Sequence, residues 1–305
     1  MIKVSVPATS ANLGPGFDTL GLALELRNVI EMEETGILDV VIEAGGHEIL
    51  EDPARNLTYQ SALHLFERAG YKPHGLYIRQ QDSIPVARGT GSSSAAVVGG
   101  LMAANGLVGR MTGRVPFDQA EILRMAVQIE GHPDNVTPAL VGGFTVSCMN
   151  EGVPLYVRFD PPTSLKAVIV MPEVPFTAQK TQKARGVLPE AVTLKDAVYN
   201  LNRAALMVAA MAQGRTDLIA VAMQDRLHQP YRASLYQGMA SVLQAGLAAG
   251  AKGVALSGAG PAVLAFVEGD PSAVVYAMEG AFNWAGSEAK SLVVGLAREG
   301  ARIEE

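Results

Sequence analysis

No charged residue interrupts the chain between Gly89 and Gly109. The stretch emerges from a loop, Pro85-Val86-Ala87-Arg88-Gly89-Thr90-Gly91-Ser92-Ser93-Ser94-Ala95-Ala96, whose glycines let the backbone turn sharply and approach a ligand closely. The small apolar residues that follow the serines predict a buried helix over 92–107. Its apolar heart is only about ten residues, short of the ~20 that a membrane span needs. Such a helix demands a core around it, and 305 residues are enough to build one, in about two domains of ~150 residues. With 32 glycines and only 6% aromatic residues, that core is expected to pack Ala, Val, Leu, Ile and Met around closely approaching backbone.

Charge is thinly spread elsewhere. The net charge is −6, from 30 acidic and 24 basic residues, and no two Lys or Arg residues are adjacent. Nucleic acid and anionic lipid are recognised by clustered basic residues, so neither is expected as a partner. Met1 to Pro7 has no apolar run of signal-peptide length, and the chain reads as a cytoplasmic, water-soluble protein. A single cysteine, Cys148, can form neither an internal disulfide nor a cysteine cage for zinc. It ends the alternation Gly143-Phe144-Thr145-Val146-Ser147-Cys148, which predicts a buried strand residue.

Strands are expected at Lys3–Val6, Val40–Ile42, Leu76–Arg79 and Gly142–Cys148. Helical spacing recurs over Asn56–Phe66, with Asn56 as cap and Gly70 as stop, and over Phe117–Ile129. Pro161-Pro162 marks a boundary and divides the chain into domains 1–160 and 161–305. The second half predicts a strand over Leu165–Met171 and a polar segment over Thr177–Arg185. Helices follow over Leu194–Gln213, Thr216–Arg226 and Leu235–Ala249. Strands Val254–Leu256 and Val263–Val267 are joined across a Gly-Ala-Gly-Pro turn, then come a helix, Ser272–Trp284, and a strand, Ser291–Leu296. Strands and helices mix in both halves without the beat of a barrel and without a repeat, so the fold class is α+β.

Several segments are dense in chemistry. The free N–H groups at the start of the helix near Ser92 suit phosphate oxygens, although a plain helix start packed with small residues accounts for the same pattern. No Gly-Lys-Ser/Thr follows as in a Walker loop, and the third glycine of a dinucleotide fingerprint is missing. Pro7-Ala8-Thr9-Ser10-Ala11-Asn12-Leu13-Gly14-Pro15-Gly16-Phe17-Asp18 places an amide and a carboxylate beside glycines just after a strand, which a turn alone does not require. Glu130-Gly131-His132-Pro133-Asp134-Asn135, at a helix end, suits metal binding, proton transfer or a polar substrate, or a solvated turn with a His near the helix dipole. Leu256-Ser257-Gly258-Ala259-Gly260-Pro261-Ala262 reads equally as a hairpin or a binding loop. Thr181, Arg185 and the stretch Asp225-Arg226-Leu227-His228-Gln229-Pro230-Tyr231-Arg232 complete the set.

In their order and identity these segments resemble the homoserine kinases of the GHMP superfamily, from Lys3 to about Phe266. The serine–glycine and Gly-Ala-Gly loops point to the superfamily. The N-terminal loop and the His-Pro-Asp-Asn box point to the family within it. Thr90 and Ser94 depart from the family's Gly-Leu-Gly-Ser-Ser-Ala, and Ser93 aligns with its metal serine.

The resemblance implies an N-terminal ATP-binding domain, a C-terminal ferredoxin-like domain and a site between them. ATP would lie on Val86 to Ala96, with magnesium at Ser93 and Glu130. The acceptor would be L-homoserine, phosphorylated on its side-chain hydroxyl as a step of threonine biosynthesis. Arg185 and Arg232 would take its carboxylate, and Asp18 with Asn12 its ammonium. His132, Asp134 and Asn135 would surround the hydroxyl, Thr181 would close the site, and Gly258 would line it. Asp134 would be the base or an orienting group, with Asn135, Glu130 and Ser93 sharing catalysis. A homodimer is the expected assembly. The rivals are a relative acting on a sugar or isoprenoid precursor, and a silent member that binds nucleotide for regulation. Intact Ser93, Glu130 and Asp134 speak against silence.

Overall fold

The computed structural model describes residues 1–45, 48–174 and 180–304. Strands β1 (Ile2–Asn12) and β2 (Gly16–Glu34) form a long antiparallel pair, with register shifts at Pro7/Ala8 and Ala11/Asn12. Proline has no N–H for the ladder, and the first shift falls beside it. Then come β3 (Val40–Glu43), α1 (Glu48–Glu51), α2 (Leu57–Ala69), β4 (Leu76–Gln81), α3 (Ser92–Thr112), α4 (Gln119–Glu130), α5 (Pro133–Val141), β5 (Phe144–Asn150) and β6 (Val153–Phe159). The remainder is β7 (Leu165–Pro172), α6 (Lys180–Gly186), α7 (Leu194–Gln213), a 3-10 turn (Thr216–Leu218), α8 (Ile219–Ala222), α9 (Gln229–Ala233), α10 (Met239–Ala248), β8 (Gly253–Leu256), β9 (Val263–Glu268), α11 (Ser272–Trp284), β10 (Ala289–Val294) and β11 (Arg302–Glu304).

Two sheets organise these elements. The first runs β11-β1-β2-β4-β3 and carries β5 and β6 on the other half of β2. The last strand therefore returns to the sheet in which the first begins. The second sheet is antiparallel throughout, in the order β10-β7-β9-β8. With its βαββαβ chain order and first strand inside, it is ferredoxin-like. Together they make up the two α+β units that the resemblance implies.

The uncharged stretch is the core helix α3. Val97, Val98, Leu101, Ala104 and Leu107 are buried, and the helix packs on β1, β2 and α2. At 21 residues it runs beyond the expected 92–107 and, against expectation, has the length and hydropathy of a membrane span, but it spends most of that apolar surface inside the protein. A Cβ on Gly99 would come within 2.1 Å of Ile30, and one on Gly100 within 2.3 Å of the Thr58 carbonyl. Small residues are a packing requirement here.

Local signals set most boundaries. Asn56 caps α2 by accepting from Tyr59 N, and Gly70 ends it at φ +64°. Asp118 and Glu121 form a capping box, so α4 starts two residues later than the spacing predicts. Four expectations are corrected. Thr216–Arg226 is a 3-10 turn and one short helix rather than a long one. The helix expected from Leu235 starts at Met239, behind Gly238 at φ +78°. The Glu130–Asn135 box is a junction: Gly131 ends α4 and Pro133 opens α5. Cys148 lies on β5 but is exposed. Residues 177–179 of the polar segment lie outside the described residues.

Candidate active site

A cleft of about 360 Å³ gathers the starts of α3 and α5, the facing ends of β1 and β2, α6, α9 and the β8–β9 loop. α3 starts behind Gly91, and α5 behind His132, neither with a side-chain cap. The first N–H groups of a helix have no partner inside it, so both ends offer donors and positive dipole to an anion. Val86, Ala87, Gly89, Gly91, Ser92, Ser93 and Ala96 line the cleft. The rest of the loop does not. Arg88 donates to the carbonyls of Pro172 and Val174, each at 3.0 Å. Thr90 is buried on Pro85 O, and Ser94 and Ala95 are fully buried. A Cβ on Gly91 would lie 1.9 Å from Thr9 Oγ1. Glycine is demanded there by the approach to β1 and by φ +72°, rather than by the bulk of a ligand.

Glu130, at the end of α4, meets the serines from below. Ser93 Oγ donates to its Oε1 at 2.8 Å, and the buried Ser94 Oγ to the same oxygen at 3.3 Å. Ser93 is the exposed hydroxyl of the two. One turn on, His132 Nδ1 lies 2.5 Å from Oδ1 of Asp134, which is 2% exposed. Burial pulls the imidazole pKa down. The hydrogen bond and charge of Asp134, with Glu130 and Asp18, outweigh it and raise the pKa. Asn135 Oδ1 accepts from Thr9 Oγ1 at 2.9 Å, which orients the amide.

At the far end Arg185 forks onto Asp18, with Nη1–Oδ2 at 3.0 Å and Nη2–Oδ1 at 2.7 Å. Arg232, 2% exposed, donates to the carbonyls of Ala184 and Gly258. Burial first, then the charge of Arg185, lower its pKa below the usual guanidinium value. An anion placed between the two arginines would relieve the repulsion. Asn12 Nδ2 donates to Gly258 O, and its Oδ1 accepts from Asp18 N. Gly258 lines the cleft as bare backbone, and the exposed Thr181 stands at its edge on α6. Asn12 at the end of β1, Leu13 in the turn, Asp18 early in β2 and Ala87 before α3 all hold positive φ around the cleft. Such strain costs about 1–3 kcal/mol per residue and gathers where a site is held in one shape.

Sequence reasoning did not assign Phe17, Asn200, Asp225 or His228. The Phe17 ring lies under both Arg185 and Arg232, with centroid distances of 5.3 and 5.0 Å. His228 is fully buried. Its Nε2–H donates to Gly14 O at 2.6 Å, and its Nδ1 accepts from Arg232 Nη1 at 3.5 Å. Asp225 accepts from the backbone of Leu227, His228 and Gln229 and from Asn200. The available signal was the spacing of Asp225, His228 and Arg232, three and then four residues apart. His228→Phe keeps a ring beside Phe17 but loses both bonds. It is expected to raise the KM of the molecule held by Arg232 about tenfold and to spare that of a ligand on α3, read by two-substrate kinetics.

Residues 56–143 match the GHMP kinases N terminal domain, and residues 207–283 match the GHMP kinases C terminal domain. A homoserine kinase of Symbiobacterium thermophilum is 67% identical over 99% of this chain and 94% of its own length. A homoserine kinase of Moorella thermoacetica is 43% identical over 92% and 93% of the two chains. The crystal structure of a homoserine kinase from Cytophaga hutchinsonii is similar with a TM-score of 0.85 at 29% identity, covering 99% and 97% of the two chains.

Proposed function

The chain belongs to the homoserine kinases, within the GHMP kinases, and from that premise we infer how its cleft performs the reaction. It transfers the terminal phosphoryl group of ATP to the side-chain hydroxyl of L-homoserine, giving O-phospho-L-homoserine on the way to threonine. In our reading the triphosphate lies on the start of α3, with the base toward Leu50, Leu57 and Val86 at the other end of the lining. Ser93 and Glu130 would hold magnesium: both offer oxygen, the donor that a hard ion prefers, and they already meet across 2.8 Å. When bound, the ion supplies neutralisation of phosphate charge.

Homoserine is a zwitterion, and Asp18 with Arg185 present the complementary pair of charges. Its ammonium takes Asp18 with Asn12, and its carboxylate takes Arg185 and Arg232. Its hydroxyl then lies among His132, Asp134 and Asn135, and Thr181 covers it from α6. The hydroxyl oxygen attacks the γ-phosphorus, the bond to the β–γ bridging oxygen breaks, and ADP leaves with that electron pair. The hydroxyl proton passes to Asp134, and His132, held to the same carboxylate, steadies it. A loose transition state leaves most of the work to positioning and charge. We divide the chain at 160/161, with the last strand returning to the first sheet, and place the enzyme in the cytoplasm as a homodimer with no nucleic-acid or membrane partner.

The observation that carries this acceptor is the buried Arg232 beside Arg185, with Asp18 as the near counter-charge. A neutral polyol has no use for two arginines. Arg185→Lys keeps charge and loses the planar fork, so the homoserine KM is expected to rise about ten- to a hundredfold, ~1.5–3 kcal/mol, with the ATP KM unchanged. The carboxylate-free amino alcohol should be a poor acceptor for the parent and no worse for the variant, since one contact cannot be lost twice. A variant that weakens ATP and homoserine alike would remove Arg185 from the carboxylate.

A further inference from the structure

Two successive residues of the β8–β9 loop stand between the loop before α3 and the arginine end of the cleft. Ser257 is fully buried. Its Oγ donates to Gly89 O at 2.6 Å and lies 2.8 Å from Ser10 Oγ. A carbonyl only accepts, so the one Ser257 proton goes to Gly89 and the Ser10 proton goes to Ser257. The next residue serves the other end. Gly258 O accepts from Asn12 Nδ2 at 2.9 Å and from Arg232 Nη1 at 3.2 Å. The end of β1 grips both residues: Ser10 through its hydroxyl, Ala11 through a carbonyl that accepts from Gly258 N at 3.1 Å, and Asn12 through its amide.

Three successive carbonyls of the loop before α3 are tied down. Arg88 O accepts from Ala262 N at 3.0 Å, and Thr90 O from Thr9 N at 3.1 Å. Gly89 O, between them, takes the Ser257 hydroxyl. Arg88 and Thr90 turn away from the cleft, whereas Gly89 lines it. A Cβ on Gly89 would lie 2.5 Å from Ser257 O and 2.9 Å from Gly260 O, so the two loops meet backbone to backbone. The bond from Ser257 is thus the side-chain tie on the residue that a ligand in the cleft would meet.

We propose that Ser257 is a positioning residue that couples the two ends of the cleft: a nucleotide held on Gly89 tightens the hold on the acceptor at Asn12 and Arg232, and the reverse. The inference rests on the ligand placement proposed above and adds the link between the two sites. Fixing a loop in one conformation costs entropy, and a second ligand finds the linked loop already fixed by the first. Coupling of this kind is reciprocal. The Ser257 hydroxyl carries it from one loop to the other, and the Gly258 carbonyl one residue on delivers it to the acceptor's side chains.

Calorimetric titration of the full chain with homoserine, alone and over a non-hydrolysable ATP analogue with magnesium, tests this. The analogue is expected to tighten homoserine about tenfold in the parent and about twofold or less in Ser257→Ala. Ser10→Ala cuts the same buried cluster but leaves the bond from Ser257 to Gly89, so it should lose comparable thermal stability and keep the parent's coupling. Ser257→Cys keeps the shape with a weaker donor, and coupling should fall there whether or not the alanine variant folds. Amide hydrogen exchange gives a readout that stability alone does not move. Homoserine by itself should slow exchange over 86–91 in the parent and in Ser10→Ala, and leave it unchanged in Ser257→Ala. A parent without coupling, coupling kept in a folded Ser257 variant, or equal loss in Ser10→Ala and Ser257→Ala each overturns the proposal and leaves the ligand placement standing. An analogue that slows no exchange over 86–91, or homoserine that slows none over α9, overturns the placement and the coupling with it.

Discussion

Asp134→Asn is expected to lower kcat by about 10²–10⁴-fold with the ATP KM unchanged, the loss that follows removal of a positioned acid–base group. Asparagine has the same shape, and Asp134 is 2% exposed in the first turn of α5, so the fold should stand. The amide cannot accept the hydroxyl proton, and it no longer offers charge to His132. The carboxylate's bond and charge are what raise the imidazole pKa against the pull of burial, so that pKa should fall in the variant, as read by imidazole NMR titration. The sign for stability follows. A histidine whose folded pKa lies above its unfolded value of ~6.5 contributes stability fully below that value. The contribution is lost as pH rises through the folded pKa. Asp134→Asn should flatten that part of the stability profile, and chemical denaturation across neutral pH measures it. A kcat within twofold of the parent would leave Asp134 as an orienting group.

Glu130→Gln is expected to cost about 10²–10³-fold in kcat/KM at ordinary magnesium, the scale of losing one preorganised electrostatic element. Glutamine keeps an oxygen for Ser93 and Ser94, so the change removes charge and little else. Excess magnesium should restore part of the rate, because a weaker site can still be filled. Binding of paramagnetic Mn²⁺ should weaken in parallel. Unchanged kinetics and unchanged ion binding would return Glu130 to being an acid at a helix end.

Both variants probe residues whose neighbourhood was partly legible in advance. α7 and α11 keep the bounds that their apolar spacing predicts, Leu194–Gln213 and Ser272–Trp284, because caps and periodicity are local properties. The stretch after Gly214 has a helical pattern, yet only Ile219–Ala222 keeps helical form. Beyond it, Asp225 draws the next backbone N–H groups to its carboxylate. α5 was hidden because glycine and proline two residues apart read as a turn, although proline is also a favoured first residue of a helix. Alternation predicts Cys148 as a buried strand residue, and it is on a strand but exposed. β5 pairs with β2 only over Phe144–Val146 and runs on beyond it beside β6, where Ser147 is still buried but Cys148, Met149 and Asn150 are exposed.

The sequence by itself determined the family, the α+β class, the buried uncharged helix and the four segments that supply the chemistry. Each of these follows from residue identity over a short span, where spacing, caps and backbone freedom act. Only the tertiary structure decided how those residues are spent. It gave Ser93 to the cleft and Ser94 to the interior, turned Arg88 onto two carbonyls, and set Gly91 against Thr9. It also joined Arg185 to Asp18, 167 positions apart, and Ser10 to Ser257, 247 apart. A side chain's partner at that distance is chosen by how two sheets pack and which buried polar atoms would otherwise go unpaired, and neither quantity has a local pattern in the chain.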